Sequence, residues 1–268
     1  MSVGRPAAPP DVWRLLAHDL RWRLVTSLAR TDQRVNELVE KLGEPQNLIS
    51  YHLRLLRQSR LVSERRSSAD GRDIYYHLNL GQLALKLGGA AAALHPSLGS
   101  RVSPQSAKGG AVIRPARVLF ICTGNSARSQ IAEAVLREQS HGEVEVQSAG
   151  PAPAGVHPLA LEVLSELGIR TSHLRSKGLE EVAQIHFDLV ISLCDIAREE
   201  CPPLAGKPEY VHWSLPDPAA VSGSLDRRRT AFRSTANELI DRIGHLLHEL
   251  AVAATPPEES LVGGKTDA

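Results

Sequence analysis

Residues 122–129 read Cys-Thr-Gly-Asn-Ser-Ala-Arg-Ser and lie between the apolar residues 118–121 and a segment with helical spacing of apolar side chains. This order predicts a strand, a Cys-x5-Arg loop and a helix. Such a loop directs backbone N–H groups at one point, where the helix dipole adds partial positive charge. The fork of Arg128 matches two oxygens of a tetrahedral oxyanion, and the same field favours a nucleophilic thiolate at Cys122.

The loop is therefore predicted to bind phosphate or a similar anion and to attack it with sulfur, with Ser129 donating a hydrogen bond to the thiolate. The alternative is a buried strand-end thiol with an unrelated surface arginine, but strand, turn and helix all agree with a reactive loop. The expected oxyanion-binding residues are Thr123, Gly124, Asn125, Ser126, Ala127 and Arg128.

The positions of the cysteines indicate in which reaction the nucleophile takes part. The chain has three cysteines, Cys122, Cys194 and Cys201. Cys194 follows the strand-like residues 187–193, and carboxyl ends of neighbouring parallel strands meet at one edge of a doubly wound sheet. Cys122 and Cys194 are thus predicted to meet, with Cys201 on a short, mobile segment between them and solvent. A relay is indicated, in which one thiol forms an adduct, a second attacks it and a third carries the disulfide outward. Alternatively, Cys194 is a core residue and Cys201 is incidental.

Residues 116–253 resemble the thioredoxin-coupled arsenate reductases, which share the fold of low-molecular-weight tyrosine phosphatases. The resemblance rests on residues 118–130, 148–150 (Ser-Ala-Gly), 193–202 and 212–218 (His-Trp-Ser-Leu-Pro-Asp-Pro). It implies a four-stranded parallel sheet, arsenate as substrate, and thioredoxin or another thiol reductant as partner.

The same resemblance implies roles for four residues. Cys122 is the nucleophile toward arsenate, Cys194 releases arsenite, and Cys201 is the terminal thiol presented to thioredoxin. Asp217 protonates the leaving oxygen, a step that needs an acid opposite the nucleophile, and the prolines on either side of Asp217 stiffen its backbone.

Two residues depart from the family pattern. Ala127 replaces a cysteine that many relatives carry and that takes no part in the relay. Some relatives bind potassium, and here Lys177 lies near that position, so its ammonium is predicted to replace the cation. We expect no metal and no cofactor.

Composition divides the chain into parts. Residues 1–80 hold 13 Lys and Arg against 9 Asp and Glu, whereas the remainder holds 18 against 21. We predict a DNA-binding domain over residues 1–95, a Gly-Ser-Pro linker over 96–115, the reductase-like domain over 116–253, which a long amphipathic helix closes, and a disordered tail over 254–268.

The basic first part has the pattern of a winged helix-turn-helix. Helical spacing runs over residues 12–28, 35–42 and 46–57, and residues 61–66 and 73–78 form a β-hairpin around Asp-Gly. The second helix of the motif suits the major groove and the hairpin arginines suit phosphates. The expected DNA-binding residues are Gln46, Asn47, Ser50, Tyr51, Arg54, Arg57, Arg65, Arg66 and Arg72. Each arginine alone would be more simply a solvated surface charge.

Residues 48–57 and 60–62 of this part resemble the ArsR-family winged-helix repressors, which implies operator DNA as partner and a homodimer formed through the N-terminal domain. The arsenite-binding thiols of arsenic-responsive members are missing, because residues 1–115 contain no cysteine. If arsenic relieves repression, the signal is therefore expected to arise in the C-terminal domain and to cross the linker. The alternative, which a Gly-Ser-Pro linker favours at least as much, is that the fusion only co-localises two independent activities.

The sequence predicts an α/β enzyme: a cytoplasmic arsenate reductase fused to a transcriptional regulator. No apolar signal segment begins the chain, and no stretch has the length of a membrane span. The first alternative is a phosphatase, which would need Cys122, Arg128 and Asp217 but neither other cysteine. The second is a regulator whose C-terminal domain only senses an oxyanion or redox state.

Overall fold

The N-terminal part of the molecule is a helical bundle with a small antiparallel sheet. A computed structural model describes residues 8–99 and 116–252. Its first half contains α1 (Asp11–Leu16), α2 (Asp19–Leu28), β1 (Gln33–Arg34), α3 (Val35–Leu42), α4 (Gln46–Gln58), β2 (Val62–Arg66), β3 (Ile74–Leu78), α5 (Leu80–Leu94) and α6 (Pro96–Gly99). The strands lie in the order β1-β3-β2, and α2, α3 and α4 pack on one another around a leucine-rich core.

Local chemistry explains these elements. The single helix expected over residues 12–28 is two helices, because the side chain of His18 caps α2 by accepting from Leu20 N at 3.2 Å. Gly43 takes a φ of +69° at the end of α3, which turns the chain into α4. Arg66 pairs with Ile74 at the end of the hairpin, so the winged helix-turn-helix predicted from the sequence is the observed fold.

The second half is a doubly wound α/β domain. It contains β4 (Arg117–Ile121), α7 (Arg128–Gln139), β5 (Glu145–Ala149), α8 (Pro158–Glu166), β6 (Leu189–Ser192), α9 (Asp195–Glu200), β7 (Glu209–His212) and α10 (Leu225–Val252). All four strands are parallel, in the order β5-β4-β6-β7. The predicted fold class is confirmed. Because the order reverses beside β4, the loop after β4 lies at the switch point where such sheets bind ligands.

Hydrophobic burial determines this sheet. The central strands β4 and β6 are almost continuously apolar, as strands covered on both faces must be. The long helix α10 packs against α7 and α8 and closes the core with Phe232, Leu239 and Ile243. None of the helices in residues 8–99 and 116–252 combines the length and apolar character needed to cross a membrane.

The predicted linker is only partly described. Residues 96–99 form α6, a helical turn that packs on α5, where Gly99 approaches Ala92 so closely that a Cβ would lie 2.6 Å from the alanine Cβ. Residues 100–115 of the predicted linker and the predicted tail, residues 254–268, lie outside the described residues.

The two halves touch directly. Strand β7 is the edge of the parallel sheet, and the segment before β1 covers it. Asp32 N donates to His212 O at 2.7 Å, His212 N donates to Thr31 Oγ1 at 3.0 Å, and the indole of Trp213 donates to Arg30 O at 3.2 Å. At the end of this edge strand, the N-terminal half thus satisfies both backbone groups of His212, which would otherwise be unpaired.

A buried carboxylate anchors this contact. Asp32 is 2% exposed, and both its oxygens lie 3.2 Å from the Arg242 guanidinium. His77 Nδ1 lies 2.9 Å from Oδ1, and Ser214 N donates to Oδ2 at 2.8 Å. Burial alone would raise the pKa of Asp32, but Arg242 and His77 outweigh it and lower the pKa to about 2.

We expect Asp32→Asn to lower the free energy of unfolding by about 3 kcal/mol, because it leaves the Arg242 guanidinium buried beside a neutral amide. Urea denaturation at pH 7 measures the loss. Asp226→Asn, at a carboxylate whose side chain is 92% exposed, is the control and should change stability by less than about 0.5 kcal/mol.

The pH dependence has a definite sign. The folded pKa of Asp32 lies below the usual 3.8, so its contribution, roughly 2 kcal/mol, is present above pH 4 and lost as the pH falls toward 2. The wild type and Asp32→Asn should therefore approach each other in stability over that range. A constant difference between them from pH 5 to pH 2 would contradict the assignment.

Candidate functional site

The Cys122 thiol lies at the base of the loop that follows β4. It is 2% exposed, and its sulfur lies 2.9 Å from Ser129 Oγ, in the first turn of α7. Ser129 Oγ also accepts from Asn125 Nδ2 at 2.9 Å. Because that contact uses a lone pair, the hydroxyl hydrogen of Ser129 is available to the sulfur. The structure thus brings together the predicted nucleophile and its predicted hydrogen-bond donor.

Asn125 holds the loop in shape. Its φ of +41° is left-handed, a conformation that asparagine tolerates better than most residues. Its side-chain nitrogen Nδ2 also donates to Ser148 Oγ at 2.8 Å, while its side-chain oxygen Oδ1 accepts from Gln130 Nε2 at 2.9 Å and Lys177 N at 2.7 Å. Side-chain hydrogen bonds therefore fix the backbone between Cys122 and Arg128.

Lys177 ends this network. Ser148 Oγ donates to Glu133 Oε2 at 2.6 Å, and the Lys177 ammonium lies 3.3 Å from the same oxygen and 3.3 Å from Arg175 O. Glu133 and Lys177 are both buried. A lysine therefore supplies the positive charge beside the Glu133 carboxylate, which is compatible with the prediction that its ammonium replaces a bound cation.

Gly150 lets the loop approach β5. A Cβ at this position would lie 2.2 Å from the carbonyl oxygen of Cys122 and 2.6 Å from that of Thr123. Both are backbone atoms that cannot move without distorting the loop. The Ser-Ala-Gly segment noted in the sequence thus places two structural residues of the loop, Ser148 and Gly150, on and just after one strand.

Arg128 and Asp217 also meet. Arg128 is the first residue of α7, is 6% exposed, and places its NH2 group 3.1 Å from Asp217 Oδ2 while NH1 donates to Leu215 O at 3.1 Å. The other oxygen of Asp217 accepts from Ala219 N at 3.0 Å. The arginine predicted to bind the anion and the predicted acid therefore share one end of the loop.

Cys194 lies against the same loop. Strands β4 and β6 pair with Ile121 opposite Ser192, so Cys122 and Cys194 both leave the same sheet edge. The Cys194 sulfur lies 3.3 Å from the hydroxyl of Thr123, the neighbour of Cys122, and accepts from Ala197 N at 3.4 Å as the cap of α9. The prediction that the two strand ends bring the first two thiols to one place agrees with this contact.

Cys201 lies at the other end of α9. It caps that end of the helix and packs partly buried against the core, and the mobility predicted for its segment stays a prediction. Burial raises the pKa of its thiol. The Cα atoms of Cys194 and Cys201 bracket a six-residue helix and are therefore about 10 Å apart at the helical rise.

The predicted DNA-binding residues separate into two groups. The residues predicted on α4 all point to solvent: Gln46, Asn47, Ser50, Tyr51, Arg54 and Arg57. Arg54 lies over the Tyr51 ring and Arg57 pairs with Glu64 at 2.6 Å. In the hairpin, Arg66 and Arg72 are also exposed.

Arg65 lies elsewhere. Its NH2 group binds both oxygens of Asp195 at 2.9 and 2.7 Å, it contacts the Ser214 hydroxyl, and its Nε donates to Ser214 O at 3.0 Å. Asp195 is the first residue of α9 and is completely buried. This guanidinium is directed into the reductase-like half, so it is not available to DNA in this arrangement.

Asp195 is the residue that sequence reasoning missed. It accepts from Ser68 N at 2.7 Å and Ser214 Oγ at 2.7 Å, and its Oδ1 lies 3.0 Å from His212 Nε2. Burial would raise its pKa, yet these hydrogen bonds together with Arg65 hold the pKa far below the usual range. Only its place directly after Cys194 could have drawn attention to it.

Comparison with known proteins agrees with this geometry. Residues 117–255 match the model of the low molecular weight phosphotyrosine protein phosphatase family. The chain belongs to that family. Residues 18–64 also match the model of bacterial regulatory proteins of the arsR family, so both predicted resemblances are confirmed: a phosphatase-family domain follows an arsR-type helix-turn-helix region.

Relatives within the family include arsenate reductases. That of Halalkalibacterium halodurans is 36% identical over 47% of this chain and 91% of its own length. Arsenate reductase 2 of Staphylococcus saprophyticus is 41% identical over 41% of this chain and 85% of its own. The structure of a thioredoxin-dependent arsenate reductase from Corynebacterium glutamicum aligns with a TM-score of 0.41 and 25% identity, over 86% of this chain and 98% of that one.

We expect Gly150→Ala to weaken binding of inorganic phosphate at the loop at least tenfold, because the added methyl group displaces the carbonyl oxygens of Cys122 and Thr123. Isothermal titration with phosphate measures this. Gly244→Ala is the control: it lies within α10, where a Cβ meets nothing within 4 Å, so phosphate affinity should be unchanged. Equal phosphate affinity in both variants would show that the loop does not bind the anion.

Proposed function

We propose that this chain reduces arsenate to arsenite through Cys122, Cys194 and Cys201, and that its N-terminal region binds operator DNA. The contact between Thr123 and Cys194 carries the first proposal. A phosphatase needs only a nucleophile, an arginine and an acid, whereas a second thiol directly beside the nucleophile's loop serves sulfur chemistry. The arsenate reductases among the relatives support the same reaction.

The first step is an attack on the oxyanion. Arg128 and the loop N–H groups hold arsenate, the Cys122 thiolate forms a bond to arsenic, and an As–O bond breaks. Asp217, which pairs with Arg128 in the structure, gives the departing oxygen its proton. Ser129 stabilises the thiolate through its contact with the sulfur at 2.9 Å, and Asn125 orients Ser129 by donating to its hydroxyl oxygen at 2.9 Å.

Two thiol exchanges complete the reaction. Cys194, having lost its proton, attacks the sulfur of Cys122; the S–As bond breaks, and its electron pair reduces arsenic from As(V) to As(III), which leaves as arsenite. Cys201 then attacks the sulfur of Cys194, which frees Cys122 and leaves a Cys194–Cys201 disulfide. An external dithiol such as thioredoxin reduces this disulfide, consistent with a cytoplasmic setting.

The last exchange requires α9 to open. A disulfide needs Cα atoms less than about 7 Å apart, but the intact helix holds those of Cys194 and Cys201 about 10 Å apart. Since a helix of six residues is far below the roughly 12 residues that make an isolated helix stable, local unwinding is accessible.

Steady-state turnover with thioredoxin, thioredoxin reductase and NADPH tests the enzyme proposal, alongside hydrolysis of a small phosphoester. In Cys201→Ser we expect a burst of about one arsenite per chain and then no turnover, because the disulfide cannot move outward. Asp217→Asn should slow the burst itself by about 10²-fold, the scale of a general acid. Full steady-state reduction by Cys201→Ser, or phosphoester hydrolysis without arsenate reduction, would refute the relay and favour the phosphatase.

The exposed face of α4 supports DNA binding. Its polar and basic side chains remain accessible while the halves are in contact, as a groove-reading helix requires.

We also propose a homodimer through the N-terminal region, supported by Leu85 and Leu94 on α5, which are 70% and 72% exposed. A chain that only senses oxyanions would share the exposed face of α4 but would show no catalytic turnover.

We expect Arg54→Gln to reduce the slope of log affinity against log salt by about 1 for a random-sequence DNA duplex, since one phosphate contact is lost. Fluorescence anisotropy at several salt concentrations measures the slope. The control is Arg117→Gln, which changes an exposed arginine of the reductase-like half that pairs with Glu145 of the same half. Identical slopes for the two variants would exclude Arg54 from the DNA contact.

A further inference from the structure

We propose that forming the Cys194–Cys201 disulfide releases the hairpin and α3 of the N-terminal region from the reductase-like half. Helix α9 must unwind for this disulfide to form, and the N-terminal region binds the same helix through hydrogen bonds and ion pairs. The proposal rests on the proposed function for its natural oxidant, arsenate, but its structural step follows from any disulfide between these two cysteines.

The first contact is with the start of α9. Asp195 directly follows Cys194, and the hairpin binds it with three groups: Arg65 NH2 at 2.7 Å, Ser68 N at 2.7 Å and Ser68 Oγ at 2.9 Å. All three converge on one carboxylate oxygen, Oδ2. Such convergence tolerates shifts of only a few tenths of an ångström before hydrogen bonds fail.

The second contact lies one turn further along α9. The Arg198 guanidinium binds Glu37 of α3 and lies over the ring of Tyr75 of β3, 5.4 Å from its centroid. Tyr75 is fully buried, and its ring also packs against His212. Both contacts need Asp195 and Arg198 to be held on a helix, since residues three apart share one face only there.

Disulfide formation removes that arrangement. The Cα atoms of Cys194 and Cys201 must come together by at least about 3 Å, from about 10 Å to below 7 Å, and the six residues between them must leave helical geometry. Asp195 and Arg198 then cannot keep their spacing. The anchor at Asp32 contains no residue of α9, so the segment before β1 stays on β7 and acts as the pivot.

The consequence falls on DNA recognition. With the thiols reduced, Arg65 is held on Asp195; with the disulfide formed, Arg65 rejoins Arg66 and Arg72 on a free hairpin. By linkage, contacts present only in the reduced state must also oppose oxidation of the two cysteines. The redox state of the reductase-like half therefore controls the hairpin, and the hairpin contacts oppose oxidation of the two cysteines. Neither effect needs the linker.

Residue-resolved hydrogen exchange on the full chain tests the release. Diamide, a diazene oxidant, takes two electrons and two protons from the two thiols, which makes the disulfide without arsenate. We expect the Ser68 amide to exchange at least tenfold faster once mass mapping finds the Cys194–Cys201 bond. The Asp32 amide, which donates to His212 O at 2.7 Å, should not change and serves as the internal reference.

Cys201→Ser treated with diamide is the control, because it cannot bridge α9, and its Ser68 amide should remain protected. A wild-type chain with the disulfide present and Ser68 exchange unchanged would overturn the proposal. Failure to reduce arsenate, with Ser68 still released by diamide, would refute the proposed enzyme and leave the coupling intact.

The reciprocal effect gives a second test. In thiol–disulfide redox buffers, we expect Arg65→Gln to favour the disulfide about tenfold, which makes its reduction potential about 30 mV more negative. Glu37→Gln should act in the same direction, and glutamine can keep the cap of α3 to which Glu37 contributes. Lys41→Gln removes one positive charge from the exposed last turn of α3 and should leave the potential unchanged. Equal potentials in all three variants would contradict the coupling.

Discussion

Two buried carboxylates, one from each half, determine how this molecule is assembled. Asp32 of the N-terminal half is neutralised by Arg242, and Asp195 of the C-terminal half by Arg65. A buried charge is costly unless its partners satisfy it completely, and each of these carboxylates has donors from both halves. The two exchanges are reciprocal, so neither half completes its own interior polar network without the other.

This constraint reaches the reactive loop through a short path. Asp195 is covalently next to Cys194, whose sulfur contacts Thr123, and Thr123 follows Cys122. The helix that begins at Asp195 is too short to be stable alone, so its tertiary contacts decide whether it persists. Much of that support comes from Arg65, Ser68 and Glu37 of the DNA-binding half. Helix α9 thus holds the thiols of Cys194 and Cys201 apart, and contacts across the interface between the halves stabilise that helix.

Local patterns were predictable because neighbouring residues create them. The loop at 122–129 combines a strand end, a turn and a helix start within eight residues, and the alternation around Asp-Gly in residues 61–78 specifies a hairpin. Lys177 could be placed near the position where some relatives bind potassium because the resemblance supplied the register. The separation of α1 from α2 depended on one capping side chain, His18, in a pattern that otherwise reads as continuous helix.

The interface could not be predicted, for a physical reason. Arg65 and Asp195 are 130 positions apart and Asp32 and Arg242 are 210 apart, and no periodicity or motif pairs charges at such separations. Arg65 in particular has the sequence context of a wing arginine, and only tertiary packing reveals that a buried carboxylate competes for it. The same contact supports the helix over residues 195–200, which the sequence pattern did not indicate.

The most direct measurement is a single turnover of the wild-type chain with one equivalent of arsenate and no external reductant. After acid quenching, mass mapping of alkylated peptides identifies which thiols remain free, and arsenic speciation counts the product. If the relay operates, we expect one arsenite per chain, a Cys194–Cys201 disulfide and a Cys122 that was free and is therefore alkylated. Three alkylated cysteines with arsenate unchanged, or arsenite formed while Cys194 and Cys201 both remain free, would contradict it.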